Sequence, residues 1–330
     1  MGPSADYHPS LDDPDAWVPY RYIPSKAAAI VFVVAFCLTT FFHVFQLIKK
    51  RTWYFIPLVI GGFFEIIGFI GRVLSNSDVW ALGPFVMQSL LLLVAPALFA
   101  ASIYIILGRI ILLVDGEKYS LIRQKWLTKA FVAGDVFSFC IQGGGGGIQA
   151  IGTLSAMHTG EKLIIAGLFI QLFWFGFFIL VAGVFHFRLT RNDPSKLPTS
   201  FALGRSRNTS IRRLTGSSMA PMSPSNSLSI DELPWRRHIY ALYIASVLIM
   251  VRSVFRVIEY LMGNNGYLLK HEVFLYIFDA TLMFFVMALF NWIHPSQVTD
   301  SYKMRLAHEV ELGAHQTREQ YLGAKVDERA

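Results

Sequence analysis

The sequence predicts an all-α protein: a bundle of seven transmembrane helices with the N-terminus outside and the C-terminus in the cytoplasm. Three observations predict it. Seven stretches of about 20 residues are free or nearly free of charge, the length that crosses a hydrocarbon core as a helix. Only 15% of the 330 residues are Asp, Glu, Lys or Arg and 54% are hydrophobic, whereas a soluble domain is about a quarter charged. Lys and Arg gather on one side of the seven stretches, as they do in the inner loops of membrane proteins.

Residues 1–26 are polar and carry Asp6, Asp12, Asp13 and Asp15. They read as an extracellular tail with no secretory signal, so the first span serves as its own anchor. Spans 1 to 5, within residues 27–187, are expected near 27–48, 53–74, 83–107, 127–151 and 163–187. Spans 6 and 7, within 238–293, are expected near 238–262 and 270–293. The outer loops, about 75–82, 152–162 and 263–269, are short. Residues 188–237 are rich in Ser, Arg, Thr and Pro, cannot bury a core, and read as a disordered cytoplasmic loop. Arg212-Arg213-Leu214-Thr215 and Ser223-Pro224 within it look like kinase sites, with Thr215 and Ser223 as acceptors. A solvated linker with incidental serines reads equally well. From about 297 the tail, 294–330, alternates charge with scattered apolar residues, a pattern for a helix along the inner surface.

Orientation follows from the basic residues. The segments after spans 1, 3, 5 and 7, together with Lys129 at the foot of span 4, hold 22 of the 29 Lys and Arg. The other side holds Arg21, Lys26, Lys162 and Lys270. Trp53, Trp80, Trp126, Trp235 and Trp292 fall near span ends, where aromatic belts sit. The net charge of +7 thus reflects topology and the anionic inner leaflet, not nucleic acid.

Several functions are excluded. No G-x-x-x-x-G-K-S/T phosphate loop occurs, and the chain is too short for a large ATP-driven pump. Span 7 has no mid-helix Lys for a retinal. A seven-span zinc hydrolase needs several His and an Asp at one membrane face, whereas only His43 and His186 clearly lie within spans. No catalytic residue, metal or cofactor is expected. Cys37 and Cys140 both lie in spans, so no extracellular disulfide is expected.

Ionisable groups inside spans are costly and default to functional or packing roles in the bundle interior. Span 2 carries Glu65 and Arg72. Span 4 carries Asp135, with Gln142 and Gln149 at seven-residue steps. Span 6 carries Arg252, Arg256 and Glu259, and span 7 carries Glu272 and Asp279. These spacings put each set on one helical face, so four polar stripes are expected to meet inside the bundle. Three Arg face five carboxylates. With every Arg paired, two carboxylates remain, to be protonated, hydrogen-bonded, hydrated or matched by a cation from elsewhere. Interhelical ion pairs that only fix packing are the alternative reading.

Gly143, Gly144, Gly145, Gly146 and Gly147 run consecutively in span 4. They read either as a kink that exposes backbone carbonyls to a substrate or as a site of close helix contact. Pro96 in span 3 adds a further irregularity.

The residues Gly134-Asp135-Val136-Phe137-Ser138-Phe139-Cys140-Ile141-Gln142, running into the glycines, resemble the span 4 signature of the fungal RTA-like, lipid-translocating exporter family. Glu65-Ile66-Ile67-Gly68-Phe69-Ile70-Gly71-Arg72 resembles its span 2. Ala95-Pro96 through Tyr104 and Gly108-Arg109 resemble its span 3. Arg252-Ser253-Val254-Phe255-Arg256-Val257-Ile258-Glu259-Tyr260 resembles its span 6, and His271-Glu272, Tyr276, Asp279 and His294-Pro295 its span 7. The resemblance covers about 20–295. It implies seven spans, an external N-terminus, a fungal plasma membrane, and tolerance to sphingoid long-chain bases or amphipathic drugs, with membrane lipids as partners. The nine ionisable and amide residues Glu65, Arg72, Asp135, Gln142, Arg252, Arg256, Glu259, Glu272 and Asp279 are then candidates for substrate or proton translocation. The competing reading is a seven-span lipid sensor, whose loop 188–237 would dock a cytoplasmic partner.

Overall fold

A computed structural model describes residue 10, residues 18–149, 151, 153–191, 235–263, 266–307, 310, 311 and 314. Thr215, Ser223 and most of the expected partner-docking loop lie outside the described residues. Among the described residues, seven long helical segments overlap the seven stretches expected. They are α1 (Lys26–Lys50), α2 (Ile56–Ser75), α3 (Leu82–Leu113), α4 (Gln124–Gln149), α5 (Leu154–Arg191) and α6 (Trp235–Leu261). The seventh, α7, runs through Glu272–Leu275, a π-helical turn Tyr276–Thr281, and Leu282–Trp292. No strand occurs among the described residues.

Local chemistry explains the helix ends. Ser25 caps α1 by accepting a hydrogen bond from the Ala28 amide at 3.4 Å, the role small hydroxyl residues play at helix starts. Lys49 and Lys50 occupy the last turn of α1, where the helix dipole favours cations. Arg51 leaves it in the left-handed conformation, φ 50°, and a 3₁₀ turn, Trp53–Phe55, leads into α2. Pro57 sits in the first turn of α2, where its missing N–H costs nothing. Residues 296–307 form a further helix after α7.

Among the described residues, six segments are long and apolar enough to cross a membrane: Lys26–Lys50, Trp53–Ser75, Leu82–Leu113, Ser155–Arg191, Trp235–Leu261 and Glu272–Ala307. The chain is an integral, multi-pass membrane protein. α4 has the length, 26 residues, but its glycines, Asp135, Gln142 and Gln149 lower its hydropathy below the others. It lies between α3 and α5. The expected outer loop 152–162 is largely helical, because α5 begins at Leu154 and runs for 38 residues, about 57 Å at 1.5 Å per residue.

Large apolar side chains cover the outside, among them Leu38, Phe41, Phe173, Phe187 and Val273, while aromatics fill the centre. Phe32, Phe36, Phe69 and Tyr276 stack between α1, α2 and α7. Tyr104, Phe131 and Phe178 form a second group between α3, α4 and α5. Small residues set how closely helices approach, since lipid tails give no hydrophobic drive between them. On α2, a Cβ at Gly61 would come 2.6 Å from the Phe99 ring of α3. On α4, a Cβ at Gly145 would come 2.6 Å from the Gly160 carbonyl of α5. The glycine run stays helical, with no unwound turn. Gly144 and Gly147 meet nothing, so the contact is centred on Gly145, not on the Gly143 and Gly147 pair. α3 likewise continues through Pro96.

Candidate functional site

The polar stripes assemble into three groups. The first closes the end of the bundle that holds the N-terminal segment. Arg72 of α2 donates to Glu272 Oε1 of α7 at 2.8 Å and to the Tyr22 hydroxyl at 2.6 Å. Tyr276 donates to the same carboxylate at 2.9 Å. The Ser25 amide donates to both Glu272 oxygens, at 2.9 and 3.0 Å. Beside it, the Tyr20 hydroxyl donates to Gln88 Oε1 at 2.8 Å, and Asn76 donates to the Pro24 carbonyl at 2.8 Å. Residues 18–25, expected to be part of the extracellular tail, therefore strap α2, α3 and α7 together at this end. Burial pushes the phenols of Tyr20 and Tyr22 above their ordinary range.

The second group lies deeper, between α2, α3, α6 and α7. Asp279 bridges two arginines: Arg252 donates to its Oδ1 and Arg256 to its Oδ2. Arg256 also reaches Glu259, one turn along α6, at 2.8 Å. Arg252 donates in addition to the Leu92 carbonyl of α3. The π-helical turn spans Asp279. Such turns insert an extra residue into a helix and are frequent at functional sites.

Glu65 of α2 is within electrostatic reach of this cluster but takes no part in its ion pairs. It is buried, 1% exposed, and its Oε1 has no hydrogen-bond partner among the described residues. The Thr40 hydroxyl of α1 is also buried without a partner. It packs against Gly62, one turn from Glu65.

The third group belongs to α3, α4 and α5. Tyr104 donates to Asp135 Oδ2 at 2.8 Å, while Asp135 Oδ1 has no partner among the described residues. Gln142 donates to Gln171 Oε1 at 3.0 Å. Gly167 opens room for the Gln142 side chain, since a Cβ there would meet its Cγ at 2.5 Å. The stripe on α4 thus does not join those of α2, α6 and α7; its partners come from α3 and α5.

The charge count resolves residue by residue. Arg72 takes Glu272, Arg256 takes Glu259, and Asp279 is shared by Arg252 and Arg256. The two carboxylates outside ion pairs are Glu65 and Asp135. Sequence reasoning missed Tyr104, Gln171, Tyr22 and the Leu92 carbonyl as partners, and the strap. Tyr104 stands in the span 3 resemblance with no role attached to it, and no periodicity marks the strap. No group of three or more His, Cys, Asp or Glu able to hold a metal occurs among the described residues.

Residues 58–302 match the family described as RTA1 like protein. Protein RTM1 of Saccharomyces cerevisiae is 33% identical over 313 residues, covering 83% of this chain and 90% of that protein. Protoporphyrin uptake protein 1 of the same yeast is 34% identical, covering 83% and 91%. The yeast sphingoid long-chain base transporter RSB1 is 27% identical over 282 residues, covering 83% and 72%. No solved structure matches the chain.

Proposed function

The chain belongs to the RTA1-like family, and on that premise we propose that it is a seven-span transporter moving sphingoid long-chain bases, or related amphipathic cations, across the plasma membrane. α4 is the seventh span in this reading. The concentration of Lys and Arg after spans 1, 3, 5 and 7 supports an external N-terminus.

The observation that carries the proposal is the buried Glu65 carboxylate, which has no arginine partner while every intramembrane arginine is occupied. A buried carboxyl without a partner is costly, so its retention in the bundle argues for a transient partner. A proton or a substrate amine meets that need. Asp135, with one free oxygen, offers a second such group. The relatives' names point to two substrate types, sphingoid bases and protoporphyrin. Protoporphyrin carries carboxylates of its own, so two unpaired intramembrane carboxylates favour the cationic amine. With no nucleotide-binding motif, the driving force is an ion gradient or a partner protein.

The test is reconstitution of the purified chain in liposomes with a fluorescent sphingoid base, with and without a pH gradient. Movement between leaflets faster than in empty liposomes is expected. Acceleration by the gradient would identify the proton as the coupling ion. Base that stays in its leaflet under every gradient would overturn the transport reading and favour the lipid sensor, with loop 188–237 as the region to search for a partner.

A further inference from the structure

A separate polar site lies at the other end of the bundle, where α3 ends, α4 begins and the helix 296–307 folds back. Arg109 of α3 stacks its guanidinium over the Tyr54 ring, 3.5 Å from the centroid, and donates to Thr299 at 3.2 Å. Thr299 in turn donates to the Tyr54 hydroxyl at 3.0 Å. A guanidinium has five N–H donors, and Thr299 takes only one of them. No described carboxylate pairs with Arg109.

Beside it is a cavity of about 240 Å³, lined by Arg109, Gln124, Thr128, Thr299 and Tyr302 with apolar residues of α3 between them. Its polar lining is a guanidinium, an amide and three hydroxyls, with no acidic side chain. The nearest acid in sequence, Asp300, is exposed. Gly108 packs beside this corner, where a Cβ would sit in ordinary contact with Gln124 Nε2 at 3.6 Å and Thr128 Oγ1 at 3.7 Å. Exposed Arg123, Lys125, Lys129 and Lys303 neighbour the lining residues in sequence.

We propose that this cavity binds a phosphate group, carried by an anionic phospholipid headgroup or supplied as free phosphate. A guanidinium presents a planar fork that matches phosphate oxygens and holds them by charge-assisted hydrogen bonds. Stacking on Tyr54 uses its face and leaves its edge for the anion. The Tyr302 hydroxyl and the Gln124 amide supply further donors, while the Thr128 hydroxyl donates to the Tyr104 carbonyl at 3.5 Å. Because the lining joins α3 and α4 to the helix 296–307, an occupied site would tie that helix to the bundle. The proposal does not depend on which substrate the bundle moves.

The experiment follows thermal unfolding of the purified full chain in phosphatidylcholine nanodiscs. Phosphatidic acid replaces part of the lipid in one arm, and inorganic phosphate replaces chloride at equal ionic strength in the other. A ligand of the native state raises the apparent midpoint by mass action. A rise with phosphatidic acid is expected, retained in Lys303→Gln and lost in Arg109→Gln, whose affinity should fall about tenfold or more. A rise with inorganic phosphate alone, again lost in Arg109→Gln, would support the site and assign it to a soluble anion. Should Arg109→Gln fail to fold, Tyr302→Phe removes one hydroxyl from the cavity and should weaken binding severalfold. No rise in either arm, or an equal rise in both cavity variants, would overturn the proposal and leave Arg109 as a clamp between Tyr54 and Thr299.

Discussion

Glu65 and Asp279 are both carboxylates, both 1% exposed, and both in the interior of the same bundle. Asp279 is held between Arg252 and Arg256 and sits in a helix that widens around it. Glu65 looks onto that cluster from α2 with an oxygen that has no partner. Equal burial therefore hides opposite surroundings. A carboxylate whose charge is met within the protein is part of the framework, and removing it leaves uncompensated charge. A carboxylate whose charge is unmet is available to a proton or a substrate. The difference directs attention away from Asp279, the residue that intramembrane position alone would favour equally, and towards Glu65.

The largest expected effect breaks the paired side. Asp279→Ala leaves Arg252 and Arg256 with Glu259 as their remaining ion-pair partner among the described residues, and one-sided removal from a buried pair costs about 3–5 kcal/mol. The variant should give little monodisperse protein by fluorescence-detected size exclusion. Near wild-type yield would mean that Arg252 and Arg256 find other partners. Even the amide variant, Asp279→Asn, is expected to lose activity largely through stability.

Next in size is the α4–α5 contact, which involves no charge. Gly145→Ala places a methyl 2.6 Å from the Gly160 backbone carbonyl and should cost about 1–3 kcal/mol by overpacking. Gly144→Ala, which meets nothing within 4 Å, should be neutral or slightly stabilising through helix propensity. Melting midpoints of the two variants in one detergent check this, and equal midpoints would mean the helices are not in close contact.

Smaller still is Tyr104→Phe, which removes the hydrogen bond to Asp135 at a cost of about 1 kcal/mol. It turns Asp135 into a carboxylate more like Glu65. If Asp135 serves transport, the change should alter base movement beyond what the small loss of stability explains. The liposome assay reads this directly.

The helices were legible because apolar stretches of membrane-spanning length have few other uses, and the start and end of α1, α2 and α6 fall within a few residues of expectation. The start of α5 was not: Thr159, Gly160, Glu161 and Lys162 read as a polar loop, yet Gly160 continues the helix and packs on α4. The seven-residue spacing of Glu65 with Arg72 marked a buried face, whereas of the pair Glu272 and Asp279 only Asp279 is fully buried and Glu272 is partly exposed. Spacing within one helix cannot say which neighbour a residue meets. Arg72 could have taken Glu65, seven residues away on its own helix, but it reaches Glu272 on α7 instead. The count of three arginines against five carboxylates left two acids over, and only the packing of α2, α6 and α7 says which. Tyr20 and Tyr22 were invisible as strap residues because a short extended segment carries no period to read.

The most direct test of the account is Glu65→Gln, measured for stability and for base movement on the same preparation. The substitution keeps the shape of the side chain and removes an ionisable carboxyl that forms no ion pair with an arginine. Its melting midpoint is expected to match or slightly exceed wild type, while movement of a fluorescent sphingoid base falls to the level of empty liposomes. Movement at the wild-type rate in a stable Glu65→Gln protein would contradict the account, because the unmatched carboxylate would then have no part in transport.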